Sequence, residues 1–212
     1  MVRGITWAVV MFSSAAGIAQ AGLVTFTSAS AFDSAITSPT TFGFGGVAPS
    51  GSFTPFTTYN SNGVAFTPVG VTVVDVTSAN YYVSPVYPAD FIVNGTASST
   101  PAGMLLTLLS PVTAIGFELG SLDGGAITAA FSTGDSAILD PSPTLGNVTF
   151  WGFTSTTPFS SVSLENSDLT PAVYVTSVTL AGAGSTTTPE PATAVLFGLG
   201  LITCAIFRRF GR

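Results

Sequence analysis

Lysine and histidine are absent from this 212-residue chain, and its four basic residues are arginines confined to the ends: Arg3, Arg208, Arg209 and Arg212. The single cysteine, Cys204, also lies near the carboxyl terminus. The stretch from Gly22 to Thr188 therefore holds no Lys, Arg, His or Cys, while nine of the ten acids fall between Asp33 and Asp168. Each absence excludes a chemistry. A surface of carboxylates without cations repels phosphate, which argues against nucleic-acid binding. Ser-His and Cys-His nucleophiles cannot be assembled. Zinc, haem and iron–sulfur sites lose their usual ligands, and no disulfide can form inside the stretch. What survives is carboxylate-pair chemistry and oxygen-ligand sites for calcium.

The chain is 46% hydrophobic and only 7% charged, with a mean hydropathy of +0.60, which would suit a membrane protein if the apolar residues were evenly spread. They are not. Residues 1–21 read as a signal peptide: Arg3 gives a positive start, an apolar run follows, and Ala19-Gln20-Ala21 fits the small-x-small rule of signal peptidase, with cleavage after Ala21. Residues 181–188 are a Gly/Ser/Thr linker. After Pro189-Glu190-Pro191 the chain is uncharged from Ala192 to Phe207 and then meets Arg208, Arg209 and Arg212. A helix over 192–207 reaches about 24 Å, a little short of a hydrocarbon core of about 30 Å, and snorkelling arginines can supply the rest. The basic cluster holds that end in the cytoplasm and leaves residues 22–180 outside.

Pro189-Glu190-Pro191, the apolar segment and the arginine cluster together resemble the PEP-CTERM sorting signal of bacterial exported proteins. The resemblance implies recognition of the tripeptide by exosortase, removal of the tail, and passage from the inner membrane to the cell surface or the extracellular matrix. It also implies a connection with exopolysaccharide, and hence with biofilm. No Leu-Pro-x-Thr-Gly sortase motif is present.

Residues 22–180 are rich in Ser, Thr, Gly, Val and Phe, with short branched and aromatic runs bounded by turn formers. Twelve runs read as strands: 23–26, 40–44, 63–67, 71–76, 91–93, 104–109, 114–119, 126–131, 136–139, 147–153, 160–164 and 173–180. Ala29 to Ile36 reads as a short helix. The expected fold is all-β, a single two-sheet sandwich of jelly-roll type. Pieces such as Val64-Ala-Phe66 and Thr149-Phe-Trp-Gly-Phe153 resemble ectodomains that often precede this sorting signal, and that resemblance supports a sandwich.

Three candidate sites follow. Glu118, Ser121 and Asp123 stand around a Gly-rich turn and could bind calcium, the one cofactor the composition leaves open; a plain Asp-Gly hairpin with solvated carboxylates is the simpler reading. Glu118 and Asp123 could also serve as a glycosidase acid and base. Tyr59, Tyr81, Tyr82 and Tyr87 sit in or beside polar loops where exposed rings could stack on sugars, while Trp151, between Phe150 and Phe153, reads as core. The favoured function is a non-enzymatic structural or adhesive surface protein, with signal peptidase, exosortase and exopolysaccharide as partners. The alternatives are a calcium-dependent lectin-like module and a glycosidase.

Overall fold

Branched and aromatic residues in runs of a few, separated by Gly, Pro and Asn, favour strands as the main way to bury this chain's apolar side chains. The computed structural model describes residues 22–81, 87–94, 102–121, 125–141, 147–166 and 173–183. The strands are β1 (Val24–Phe26), β2 (Ile36–Gly43), β3 (Phe53–Phe56), β4 (Tyr59–Ser61), β5 (Val64–Val69) and β6 (Val74–Thr77). They continue with β7 (Phe91–Asn94), β8 (Ala102–Ser121), β9 (Ile127–Phe131), β10 (Ser136–Leu139), β11 (Thr149–Asn166) and β12 (Val173–Ala183). One helix, α1 (Ala29–Ala35), joins β1 to β2. The signal peptide expected at 1–21 and the membrane helix expected at 192–207 lie outside the described residues, among which no helix is long and apolar enough to cross a membrane.

The all-β expectation holds. Hydrogen bonding joins the strands into one open, antiparallel sheet in the order β10-β9-β11-β8-β12-β7-β6-β3, with β1 beside β11, β2 beside β12, and β5 between β8 and β4. The two separate sheets of the expected sandwich are not drawn by these bonds. β12 also runs to Ala183, three residues into the expected linker, because Gly182 and Ala183 pair with Thr37 and Ile36 of β2.

The spine is the pair β8–β11, which runs from Ala102↔Asn166 to Leu119↔Thr149 and breaks register twice, between Thr154 and Phe159 and between Phe159 and Ser161. The break changes which face of each strand is buried. In β8 the core takes Met104, Leu106 and Leu108 before the break and Ile115, Phe117 and Leu119 after it; in β11 it takes Phe153 and Phe159, then Val162 and Leu164. Even-numbered residues give way to odd ones along β8, and the reverse happens along β11. A regular strand cannot do that; extra residues must be bulged out. Pro111 and Pro158 both sit exposed in the broken stretches, where a missing N–H costs no ladder bond.

A single core cluster takes side chains from both sides of this corner, from Val64 and Phe66 of β5 to Val74 and Val76 of β6. Those residues are almost fully buried, and a seven-residue helix is far too small to cover them. The sheet covers itself by bending at the corner.

Helix α1 has a different task. Ser28 makes no side-chain cap bond, and seven residues are too few for a helix to persist alone. What holds it is Phe32, wholly buried on the outer face of the sheet against Phe26 and Phe150, at ring-centroid distances of 5.8 and 5.5 Å. The ring enters a pit made by the cross-strand pair Gly116↔Gly152. A Cβ on Gly152 would meet Phe32 ring carbons at 2.5 and 2.7 Å, so only glycine leaves the space.

Gly152→Ala should therefore cost about 1–3 kcal/mol by overpacking, and Phe32→Ala about 3–5 kcal/mol by emptying the site. In the double variant most of the Gly152→Ala cost should vanish, since the clash has lost its partner. Urea denaturation of all four proteins checks this; strictly additive losses would mean that the ring does not depend on the pit.

Candidate functional site

Alternation along the last stretch of β8 decides what the expected calcium residues can do. Phe117 and Leu119 face the core, so Glu118 faces out; it is exposed, and Ser177 on β12 donates a hydrogen bond to its Oε2 at 3.1 Å. Ser121, three residues on, points to the other side and is buried, its Oγ accepting from Asn166 Nδ2 at 3.2 Å. Glu118 and Ser121 are thus placed on opposite faces of the strand. Asp123 lies outside the described residues. Among the described residues no three His, Cys, Asp or Glu side chains gather where they could hold a metal ion.

The carboxylates without cations find other donors. Asp90 accepts from the backbone N–H of Ala79 at 2.8 Å and of Gly46 at 3.2 Å, tying two loops together. Asp135 accepts from Thr133 Oγ1 at 2.8 Å, and Glu165 from the hydroxyl of Ser163. Hydroxyls and peptide N–H groups do here what Lys and Arg do elsewhere.

Asp75 has no such arrangement. It lies mid-strand on β6, between core residues Val74 and Val76, and faces away from the core with Pro55 of β3 and Val93 of β7 as cross-strand neighbours. Neither side chain can donate, and Oδ1 is buried without a hydrogen-bond partner. Burial pushes the carboxyl above its ordinary value of 3.8. A single acid in the run Val71-Thr-Val-Val-Asp-Val-Thr77 was the sequence signal for it.

The tyrosines divide. Tyr59 is half-buried and packs against Phe56, Phe44 and Phe66 at centroid distances of 5.1, 5.9 and 6.0 Å. Tyr87 is buried against Phe91 at 4.5 Å and Tyr174 at 5.2 Å, in a second outer-face cluster whose Tyr174 lies over Gly120 and donates to the Asn147 carbonyl. Tyr87 presents no ring to solvent, and Tyr59 is partly covered by its three ring neighbours. Tyr82 lies outside the described residues. Tyr81 is exposed, and its ring meets that of Phe53, also exposed, at 5.3 Å and 82°. Phe53 was not among the sequence candidates, because Phe53-Thr-Pro-Phe56 carries a proline and did not read as a strand. Trp151 is half-buried against the main core, with its Nε1 buried and lacking a partner.

A half-open depression of about 430 Å³ lies between β5 and β8, lined by Asn60, Gly63, Val64, Ala65, Thr107, Leu108 and Leu109. It contains no carboxylate, so it offers no acid–base pair.

The sorting residues Pro189, Glu190, Pro191, Arg208 and Arg209, and the signal-peptidase residues Ala19 and Ala21, lie outside the described residues. Residues 187–212 match the PEP-CTERM protein-sorting motif. That motif marks an exported protein sorted by exosortase, whose carboxyl-terminal tail is anchored in the membrane before processing. No curated protein matches the chain.

The raised value of Asp75 has a definite consequence for stability. The folded state holds this proton more tightly than the unfolded chain does, so the group favours folding most below about pH 3.8 and loses that contribution as pH rises through its folded value. Asp75→Asn should melt above wild type at pH 7, and the two curves should converge in acid. Asp33→Asn, which removes the same charge from an exposed position on α1, is the control for general repulsion. If the two variants behave alike in scanning calorimetry, burial is not what sets Asp75 apart.

Proposed function

We propose that this chain is a non-catalytic surface protein, structural or adhesive in role, which exosortase delivers to the cell surface or the extracellular matrix, where it contacts exopolysaccharide. The observation that carries the reading is the match at 187–212, placed just after the fold has closed: β12 ends at Ala183. A domain whose last strand is already paired with β2 can be handed over by cutting the tail without disturbing the sheet. In support of a non-catalytic role, the four carboxylates that are hydrogen-bonded among the described residues, Glu118, Asp90, Asp135 and Glu165, each meet local hydroxyl or peptide donors rather than one another. A surface free of cations, with rings exposed at one edge, suits contact with uncharged polymer better than contact with anions.

In a host with exosortase, wild-type protein should lose its last 20 or so residues, the stretch that follows the tripeptide in the matched motif. Glu190→Ala should keep the tail and remain with the inner membrane. Intact-mass measurement on both proteins decides it: a mature wild-type protein that still ends in Arg212 overturns the reading.

A further inference from the structure

Five large apolar side chains stand exposed among the described residues, Val24, Phe53, Tyr81, Leu109 and Ile138. Only Phe53 and Tyr81, exposed by 46% and 36%, are aromatic. They also touch, ring against ring and nearly perpendicular. Buried aromatic pairs are explained by the core, but a pair partly exposed at a sheet edge leaves apolar area in water that the core does not account for.

The ground beneath the pair is rigid. Phe53 begins β3, which ends the sheet, and pairs with Thr77 of β6. Tyr81 follows a turn closed by its own N–H to the Ser78 carbonyl at 3.0 Å. The two segments are stitched together by Ser78 N–H to the Ser52 carbonyl at 3.0 Å, and by Gly51 N–H to Ser78 Oγ and Asn80 Oδ1 at 2.9 and 2.8 Å. Asn80 Nδ2 donates in turn to Ser50 Oγ at 2.8 Å. The two segments that carry the rings are therefore joined before any ligand arrives, which lowers the entropy cost of binding.

We infer that Phe53 and Tyr81 form a binding platform for internal units of a neutral polysaccharide. Rings at 82° make an L: one face takes the apolar C–H face of a hexose, and the other ring borders that sugar's edge. Phe53 lies on the outermost strand with Tyr81 beside it, so a long chain can run past the pair without having to enter by an end. Charge selects the class of polymer. Residues 22–188 hold nine acids and no cation, so a uronate or sulfated polymer meets repulsion and no counter-charge, while an uncharged one meets neither. This deepens the adhesive reading above and rests on it only for the polymer's being the natural partner.

The test is affinity electrophoresis of the protein purified from an exporting host, in native gels containing hydroxyethylcellulose, galactomannan, dextran or alginate. At least one neutral polymer should retard it and alginate should not. Phe53→Leu and Tyr81→Leu keep apolar bulk but lose a flat ring, and each should weaken retardation about tenfold. Tyr81→Phe should bind nearly as wild type, and all variants should melt with it, which separates a lost platform from a lost fold. Failure of all three neutral polymers to retard the protein, equal retardation by alginate, or wild-type binding by either leucine variant overturns the inference. Correct tail removal alongside such a failure would leave the sorting assignment standing.

Discussion

The corner in the β8–β11 pair is the constraint on which the remaining structure depends. Both strands pass through it unbroken, and every other strand pairs with one of the two or with a strand that does, except β6 and β3, which extend the sheet beyond β7. Without the bend, the apolar face of one long sheet would be open to water over its whole length, and α1 could cover only a small part of it. With the bend, the same face closes on itself into one core. The stabilisation comes from area removed from water, at about 25 cal/mol per Å² of apolar surface. The bulges that make the bend cost a few ladder bonds near Pro111 and Pro158, whose ring nitrogens could not have formed them anyway.

That corner is also where the sequence misleads. The runs 104–109 and 114–119 read as separate strands because Ser110-Pro111 looks like a turn and the hydrophobic phase slips; 147–153 and 160–164 read apart for the same reason at Thr157-Pro158. Alternation reports which face is buried, and a bulge resets it, so a bent strand is indistinguishable from two strands and a turn. Where no bulge intervenes the hydrophobic run and the strand coincide, as for β7, β9 and β10. β3 and β4 were missed because Pro55 and the polar Asn60-Ser61-Asn62 disqualify a central strand, whereas β3 lies at an edge, where proline is tolerated.

The sites were legible to a different degree. That Glu118 faces solvent could be read from Phe117 and Leu119, because the alternation is local. That Ser121 turns inward to Asn166, and that Tyr87 is buried under Tyr174, depends on partners 45 and 87 residues away along the chain, which no local pattern encodes. The pairing of Phe53 with Tyr81 is of the same kind. Each ring alone is an ordinary surface aromatic; only the turn stitched by Ser78 and Asn80 makes them one surface.

The absence of lysine finally bears on how the open sheet avoids joining its neighbours. Edge strands are usually guarded by lysine, which this fold lacks throughout the described residues. Other devices stand at each edge. β1 and β4 are only three residues long, β3 carries Pro55, and β2 carries Pro39 where its register with β12 shifts. β10 has neither feature and presents Ile138 to solvent, but Asp135 and Asp140 flank it. Antiparallel pairing of this strand with its own copy, Ser136 opposite Leu139, would set each Asp135 directly against an Asp140. Like charges so placed oppose the pairing. Carboxylates supply such guards without adding a cation that would attract anionic polymer to the sheet.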